Sequence, residues 1–551
     1  MAAITTSLVV ISVLALFAGC CNGATLFFKS AEPPTWGDAY QVSATLHLPY
    51  AEIEEPIYAF YDAKAKMSRI DYYNAVVSTI QRADQGNFGK SYKVAPMSDY
   101  TAFNKKTCFL VNGTKNATVT IQAPLPDLKG YMFVRSESLN DIVCDVWQNI
   151  TVSFGRKSVY TMWVDKKTQS PVRYIMMGYD SLLGSHYDKY VIDYKNFNNK
   201  DKISPTTFAP PKGMTCGGFP GPGAAEHRIL QNPISEYVNN NNEHIEEMFD
   251  GFKRMHKPQY KNETEHNHRK DIFTQNIRFI HSKNRAGLTY TLKANHLADR
   301  TSDELKYMRG RLHSTGYNGG LPFNMEDYKT NDLPDSLDWR LFGAVTPVKD
   351  QAVCGSCWSF GTTGHIEGAL FMKTGKLVRL SQQHLMDCSW GEGNNACDGG
   401  EDFRAYQYIM KNKGLSSEEA YGPYLGQDGL CHSRNVSTTV NLRGYVNVTS
   451  GDLTALKVAV ANQGPISVGI DASHTSLAFY SNGVYYEPDC RNGVDDLDHA
   501  VLAVGYGVLH GQAYWLVKNS WSTYWGNDGY VLMSQKNNNC GVATQPTFVV
   551  L

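Results

Sequence analysis

The stretch Gln351-Ala-Val-Cys354-Gly-Ser-Cys357-Trp358-Ser-Phe360 constrains this chain more than any other. It sets Cys357 at the head of a helix-compatible run, Trp358 to Lys373, behind a Gly355-Ser356 start. A thiol with a free pKa of about 8.5 is mostly protonated at neutral pH, so a nucleophilic cysteine needs backbone N–H groups at a helix start or a neighbouring imidazole. His499 can supply the imidazole. Asn519, in Asn519-Ser-Trp521, can orient that ring without adding negative charge. Gln351 and the Cys357 backbone N–H are candidate donors to an oxyanion. Taken singly, each has a bland alternative: a structural cysteine, one histidine among 16, a turn asparagine.

From Leu333-Pro-Asp-Ser-Leu-Asp338-Trp339-Arg340 to Leu551 the chain resembles the papain-like cysteine proteases of the cathepsin L type. The resemblance implies an α+β fold of two lobes, with Cys357 on a helical lobe, His499 and Asn519 on a β-barrel lobe, and substrate in the cleft between them. It assigns catalysis to Cys357, His499, Asn519 and Gln351, with Trp521 covering the histidine–asparagine bond. It pairs Cys354 with Cys397, Cys388 with Cys431 and Cys490 with Cys540, leaving Cys357 free. Gly399 and Gly400 would admit an extended substrate backbone. Asp402, Gly469, Ala500 and Gln545 fall at the S2 positions, which implies a polar pocket that tolerates polar or basic P2 residues. The Cys388 to Cys397 interval is too short for the occluding loop of cathepsin B, against removal of C-terminal dipeptides. No paired Cys-x-x-Cys and His spacing suggests a metal, and no cofactor is expected.

Upstream, between about His244 and Arg300, apolar residues recur at helical spacing: Met248, Phe252 and Met255, then Phe273, Ile277 and Ile280. Glu265, Arg269, Phe273, Asn276, Ile280 and Asn284 match the interrupted motif of inhibitory propeptides in the cathepsin L-like branch. Asn295 and Asp299 agree with the companion loop motif, whereas Lys293 and Leu297 depart from it. Residues 244–332 are therefore expected to form an inhibitory propeptide, 333–551 the catalytic domain, and the whole a zymogen. Acid is expected to promote maturation as Glu265 and Asp299, with depressed folded-state pKa values, lose charge.

The first part of the chain reads differently. Residues 24–208 alternate as strands, as in Val42 to Leu48 and Val159 to Trp163, and Asp165 to Pro171 looks like a hairpin connection. An antiparallel β domain follows, faintly resembling ependymin-like half-barrels. Residues 209–243, rich in Pro, Gly and Asn, read as a linker open to proteolytic nicking. Cys108 is expected to pair with Cys144, with the partner of Cys216 left open. Met1 to Gly23 has the apolar run of a secretory signal, too short to span a bilayer. Sequons at Asn112, Asn116, Asn149, Asn262, Asn435 and Asn447 agree with a glycosylated product of the secretory pathway, extracellular or in a lysosome or granule. With 52 basic against 53 acidic residues, nothing draws the chain to nucleic acid or an anionic membrane.

As a whole the chain resembles the two-subunit cysteine proteinases of insect haemocytes. This implies protein or peptide substrates, the chain's own propeptide as inhibitor, and a processed N-terminal chain as a subunit. Two alternatives stay open at this point. One is a dipeptidyl peptidase with the β domain as exclusion domain. The other is a ligand-binding or adhesion protein with an inactive protease domain.

Overall fold

The computed structural model describes residues 32–98, 102–153, 155–180, 184–218, 232–328, 330 and 333–551. The expected secretory signal, Met1 to Gly23, lies outside the described residues. Among the described residues no helix is long and apolar enough to cross a membrane.

Strict alternation builds the first region. The strand Ala39–Leu48 buries every second side chain, Tyr40, Val42, Ala44, Leu46 and Leu48, which puts one face of a pleated sheet in the core. Its neighbours, Ile53–Asp62 and Ser185–Asn198, pair antiparallel on either side. Twelve strands from Ala39 to Gly218 form one sheet, antiparallel throughout except where Cys216–Gly218 runs parallel to Lys105–Asn112. The Asp165 to Pro171 connection joins Arg156–Asp165 to Pro171–Asp180, with the Asp165 side chain accepting from the Lys167 N–H at 2.8 Å.

Two expectations fail here. The disulfide joins Cys108 to Cys216, whose Cα atoms lie 4.5 Å apart on paired strands, and Cys144 is a buried free thiol. Eight strands separate the strand of Cys108 from that of Cys144, Ile142–Ser153, so no bridge could span them. Alternation identifies strands but not their order across a sheet. The expected linker is also partly structured. Cys216–Gly218 is a sheet strand, and the turn of helix Ser235–Val238 is buried. Tyr72 there donates its hydroxyl to Asn232 and accepts the Ile234 N–H at 3.0 Å.

Helices Glu243–His256 and Glu263–Arg285 follow. The first buries Ile245, Phe249 and Phe252, so that of the expected stripe Phe252 is buried, Met248 is half-buried and Met255 is exposed. The second starts at Asn262, whose side chain accepts the Glu265 N–H. It buries Phe273, Ile277 and Ile280 as expected.

In the last region the helix Cys357–Thr374 is buried along most of its length. Gly361, Gly364 and Gly368, at steps of three and four, bring its backbone against the strands behind it. A Cβ at these positions would come within 3.0 Å of Ser467, 2.9 Å of Leu502 and 2.6 Å of Pro465. Those strands, Ile466–Ile470 and His499–Leu509, belong to a second sheet. The segment before residue 333 extends that sheet at both ends: Tyr290–Leu292 pairs with Tyr480–Tyr485, and Leu321–Pro322 pairs with Gly444–Asn447. Cys354–Cys397, Cys388–Cys431 and Cys490–Cys540 are bonded as the resemblance implied.

Candidate active site

Cys357 is the first residue of its helix and fully buried. Its sulfur accepts the Ala500 N–H at 3.4 Å, so the start of the strand His499–Leu509 is held against the helix start. His499 Nε2 lies 2.8 Å from Asn519 Oδ1, an acceptor only, so Nε2 carries the proton and donates it in this hydrogen bond. Nδ1 is the ring nitrogen left over, buried and without a partner. The Trp521 ring lies 4.7 Å from the histidine ring and closes that side from solvent. Gln351 is positioned from both sides. Its Oε1 accepts from Ser520 Oγ at 2.6 Å, and Tyr424 Oη donates to its backbone carbonyl at 2.7 Å. Sequence reasoning missed Ser520 and Tyr424, because a hydroxyl's role as an orienter leaves no signature in one sequence.

The cleft is filled by residues 308–312. Gln351 Nε2 donates to the Met308 carbonyl at 2.8 Å, where an oxyanion would sit. The Gly310 N–H points to the Cys357 sulfur. The Gly310 carbonyl accepts the Gly400 N–H at 2.9 Å, and the Leu312 N–H donates back to the Gly400 carbonyl at 3.0 Å, a parallel bridge. Glycine is required on both strands. A Cβ on Gly310 would lie 1.9 Å from the Gly355 oxygen, one on Gly399 2.8 Å from the Gly310 oxygen, and one on Gly400 2.7 Å from the Trp358 ring.

Arg311 enters the pocket formed by the S2 candidates. It donates to Gln545 Oε1 at 2.5 Å and to the Leu497 carbonyl at 3.1 Å, and its stem crosses Gly469 so closely that a Cβ there would meet Nε at 2.7 Å. Asp402 and Gln545 line a cavity of 290 Å³ beside it, where Asp402 accepts from Thr547 Oγ1 at 2.6 Å. Ala500 sits at the sulfur instead of in that cavity.

Burial sets the charge state of the pair. It pushes the Cys357 thiol up to about 11, against the partial relief of the Ala500 and Gly310 N–H groups. It also depresses the His499 imidazole to about 4, although Asn519 favours the cation. Burial therefore opposes ionisation of both thiol and imidazole while residues 308–312 fill the cleft.

Residues 333–550 match the family description "Papain family cysteine protease", and residues 249–305 match "Cathepsin propeptide inhibitor domain (I29)". A cathepsin L-like peptidase of Aedes aegypti is 45% identical over 313 residues, covering 54% of this chain and 91% of its own. Human cathepsin L2 is 44% identical over 291 residues, covering 51% and 85%. The structure of digestive procathepsin L2 proteinase from the larval midgut of Tenebrio molitor aligns with a TM-score of 0.52 at 35% identity, covering 56% of this chain and all of that one.

The chain belongs to the papain family of cysteine proteases.

It is a cathepsin L-like cysteine endopeptidase in zymogen form, with its own propeptide as inhibitor. Both family matches lie after residue 248. Within the matched propeptide, Arg269 donates twice to Glu304, Asn276 Nδ2 donates to the Ala298 carbonyl at 2.9 Å, and Asn284 exchanges two bonds with the Leu292 backbone. Asn295 crosses to the enzyme, donating to the Ala478 carbonyl at 2.9 Å. The departure at position 293 is harmless, since it is the Lys293 backbone N–H that bonds Phe479. Of the sequon asparagines, Asn447 meets the propeptide: its amide exchanges bonds of 2.8 and 3.1 Å with Asn318.

Proposed function

We propose that Cys357, His499, Asn519 and Gln351 hydrolyse peptide bonds once residues before about Leu333 are removed. Water then re-enters the cleft, the burial that opposes ionisation of thiol and imidazole is relieved, and a proton passes from Cys357 Sγ to His499 Nδ1. The thiolate attacks the scissile carbonyl carbon, whose oxygen takes the place of the Met308 carbonyl on Gln351 and receives the Cys357 N–H. His499 returns the proton to the leaving amine, and water hydrolyses the thioester. The observation that carries this reading is the Ala500 N–H to Cys357 sulfur contact beside the His499–Asn519 bond. Cys357→Ala should abolish peptidase activity in processed protein; retained activity would refute the assignment.

The S2 pocket should accept arginine at P2, since Arg311 already finds two carbonyl acceptors there beside the Asp402 carboxylate. A peptide library cleaved only after Leu or Phe at P2 would rule that out. Endopeptidase action is favoured over exclusion of the cleft by the β domain, because the segment lying in the cleft is residues 308–312. Blocked-amino-terminus peptides should be cut internally. The enzyme is expected in the secretory pathway, extracellular or in a lysosome or granule. A chain separated by a cut between residues 218 and 232 would persist as a bound subunit.

A further inference from the structure

The helix Glu263–Arg285 has a second buried face. Asp271, Gln275, Arg278, Ser282 and Arg285 recur at alternating steps of four and three, which keeps them on one side of an α-helix. All five bond to the N-terminal region. Asp271 accepts two bonds from Arg156, at 2.9 and 2.7 Å, and Gln275 donates to Asp188 at 2.9 Å. Arg278, among the most buried side chains of the molecule, donates to Asp188 at 2.7 Å and to Glu236 at 2.5 Å. Ser282 donates to the fully buried Glu55 at 2.7 Å, and Arg285 donates to both of its oxygens at 2.6 Å. Just past the helix, Asn104 donates to the carbonyls of Gly287 and Leu288.

We propose that the N-terminal β domain is a second receptor for the inhibitory propeptide, gripping the outer face of this helix and thereby tightening its hold on the cleft. A buried guanidinium or carboxylate is tolerated only with its partner in place, so a polar stripe matched group for group is recognition between two particular surfaces. Fixing the helix on the sheet also removes freedom that the propeptide would otherwise lose on closing the cleft, which adds to inhibition without touching the enzyme.

The test uses the full-length zymogen. The side chains of Arg156 and Asp271 are 26% and 21% exposed, so reversing one charge leaves the core intact. Asp271→Arg should autoprocess about tenfold faster, Arg156→Asp added to it should restore the slower rate, and kcat/KM of the fully processed enzyme should not change. In a Cys357→Ala zymogen with a specific protease site inserted between Gly218 and Asn232, the cut N-terminal chain should co-elute with the remainder. It should separate when Arg278→Ala and Arg285→Ala are both present. An unchanged processing rate in Asp271→Arg, or co-elution that survives the double substitution, overturns the proposal.

Discussion

The two faces of the helix Glu263–Arg285 hold their neighbours by opposite means. Away from the sheet, the helix packs within the propeptide and the propeptide holds the enzyme by backbone bonds: Phe273 lies on Phe249 and Phe252, Ile277 and Ile280 are buried, Tyr290–Leu292 adds a strand to the second sheet, and residues 308–312 pair through Gly400. Toward the sheet the helix relies on charge: Arg156 with Asp271, Arg278 with Asp188, and Arg285 with Glu55, while Glu236 of the short helix Ser235–Val238 shares Arg278. Backbone pairing tolerates sequence change and is indifferent to pH. Matched buried charges tolerate neither, so the first face suits an inhibitor shared with other procathepsins and the second is particular to a chain that carries this sheet.

The largest effect is expected at Gly310. If latency resides in the inner face, Gly310→Val must abolish it, because the new Cβ would lie 1.9 Å from the Gly355 oxygen and the strand cannot stay in the cleft. The unprocessed variant should cleave a fluorogenic peptide at least about a thousandfold faster than the unprocessed parent, the scale of an overlap worth more than about 4 kcal/mol. A silent Gly310→Val zymogen would move latency to the outer face. Phe273→Ala is next. It empties a buried aromatic site packed by Phe249 and Phe252 and should lower zymogen stability by about 3–5 kcal/mol in denaturant titration, leaving the processed enzyme as it was.

What could be read from the sequence follows the same division. The motif around Cys357, with His499 and Asn519, was legible because its chemistry demands particular residue types, and the three disulfides after Leu333 came with it. Alternation gave the strand Ala39–Leu48 but not the order of twelve strands, so the partner of Cys108 could not be found. The outer stripe was present as polar residues at steps of four and three, yet polar residues on a helix ordinarily mean solvent. Only the positions of Glu55, Asp188 and Glu236 give them another meaning. The glycines at 361, 364 and 368 were likewise visible but unread, since close packing of a helix depends on what lies behind it.

Acid sensitivity sharpens the comparison further, with a changed set of groups. Asp299 is raised by burial, which outweighs its bond from Tyr260, so lowering the pH relieves it instead of weakening the fold. His296 has the sign that acid activation needs. Burial depresses it to about 4, against the pull of Asp350 at 4.0 Å, and both ring nitrogens lie buried without a hydrogen-bond partner between His256 and Tyr524. Because its folded pKa lies below the free value of about 6.5, its contribution is complete above that pH and is lost as pH falls toward 4. The loss is on the order of 3 kcal/mol at the acid end. His296→Leu keeps the packing and removes the titration, so its autoprocessing rate should rise less steeply between pH 6.5 and 4 than that of the parent; parallel profiles would exclude His296 as the acid sensor.

The smallest effect expected is at Arg269, and it separates a bond inside the propeptide from bonds at its two faces. Burial would raise the Glu304 carboxyl, but the paired bonds from Arg269 and the Thr301 N–H outweigh it and hold the group at about 2. Its stabilising charge is therefore complete above the ordinary carboxylate range and is lost progressively as pH falls from about 4.5 through about 2, mostly below the window in which His296 acts. Arg269→Ala should destabilise the zymogen by about 1.5–2 kcal/mol at pH 7, the value of a charged hydrogen bond at a partly exposed site, because Arg300 and the Thr301 cap remain to hold Glu304. Its processing rate should rise at every pH from 7 to 5 by the same factor. A factor that shrank between pH 7 and 5 would mean that Glu304, and not a histidine, senses acid.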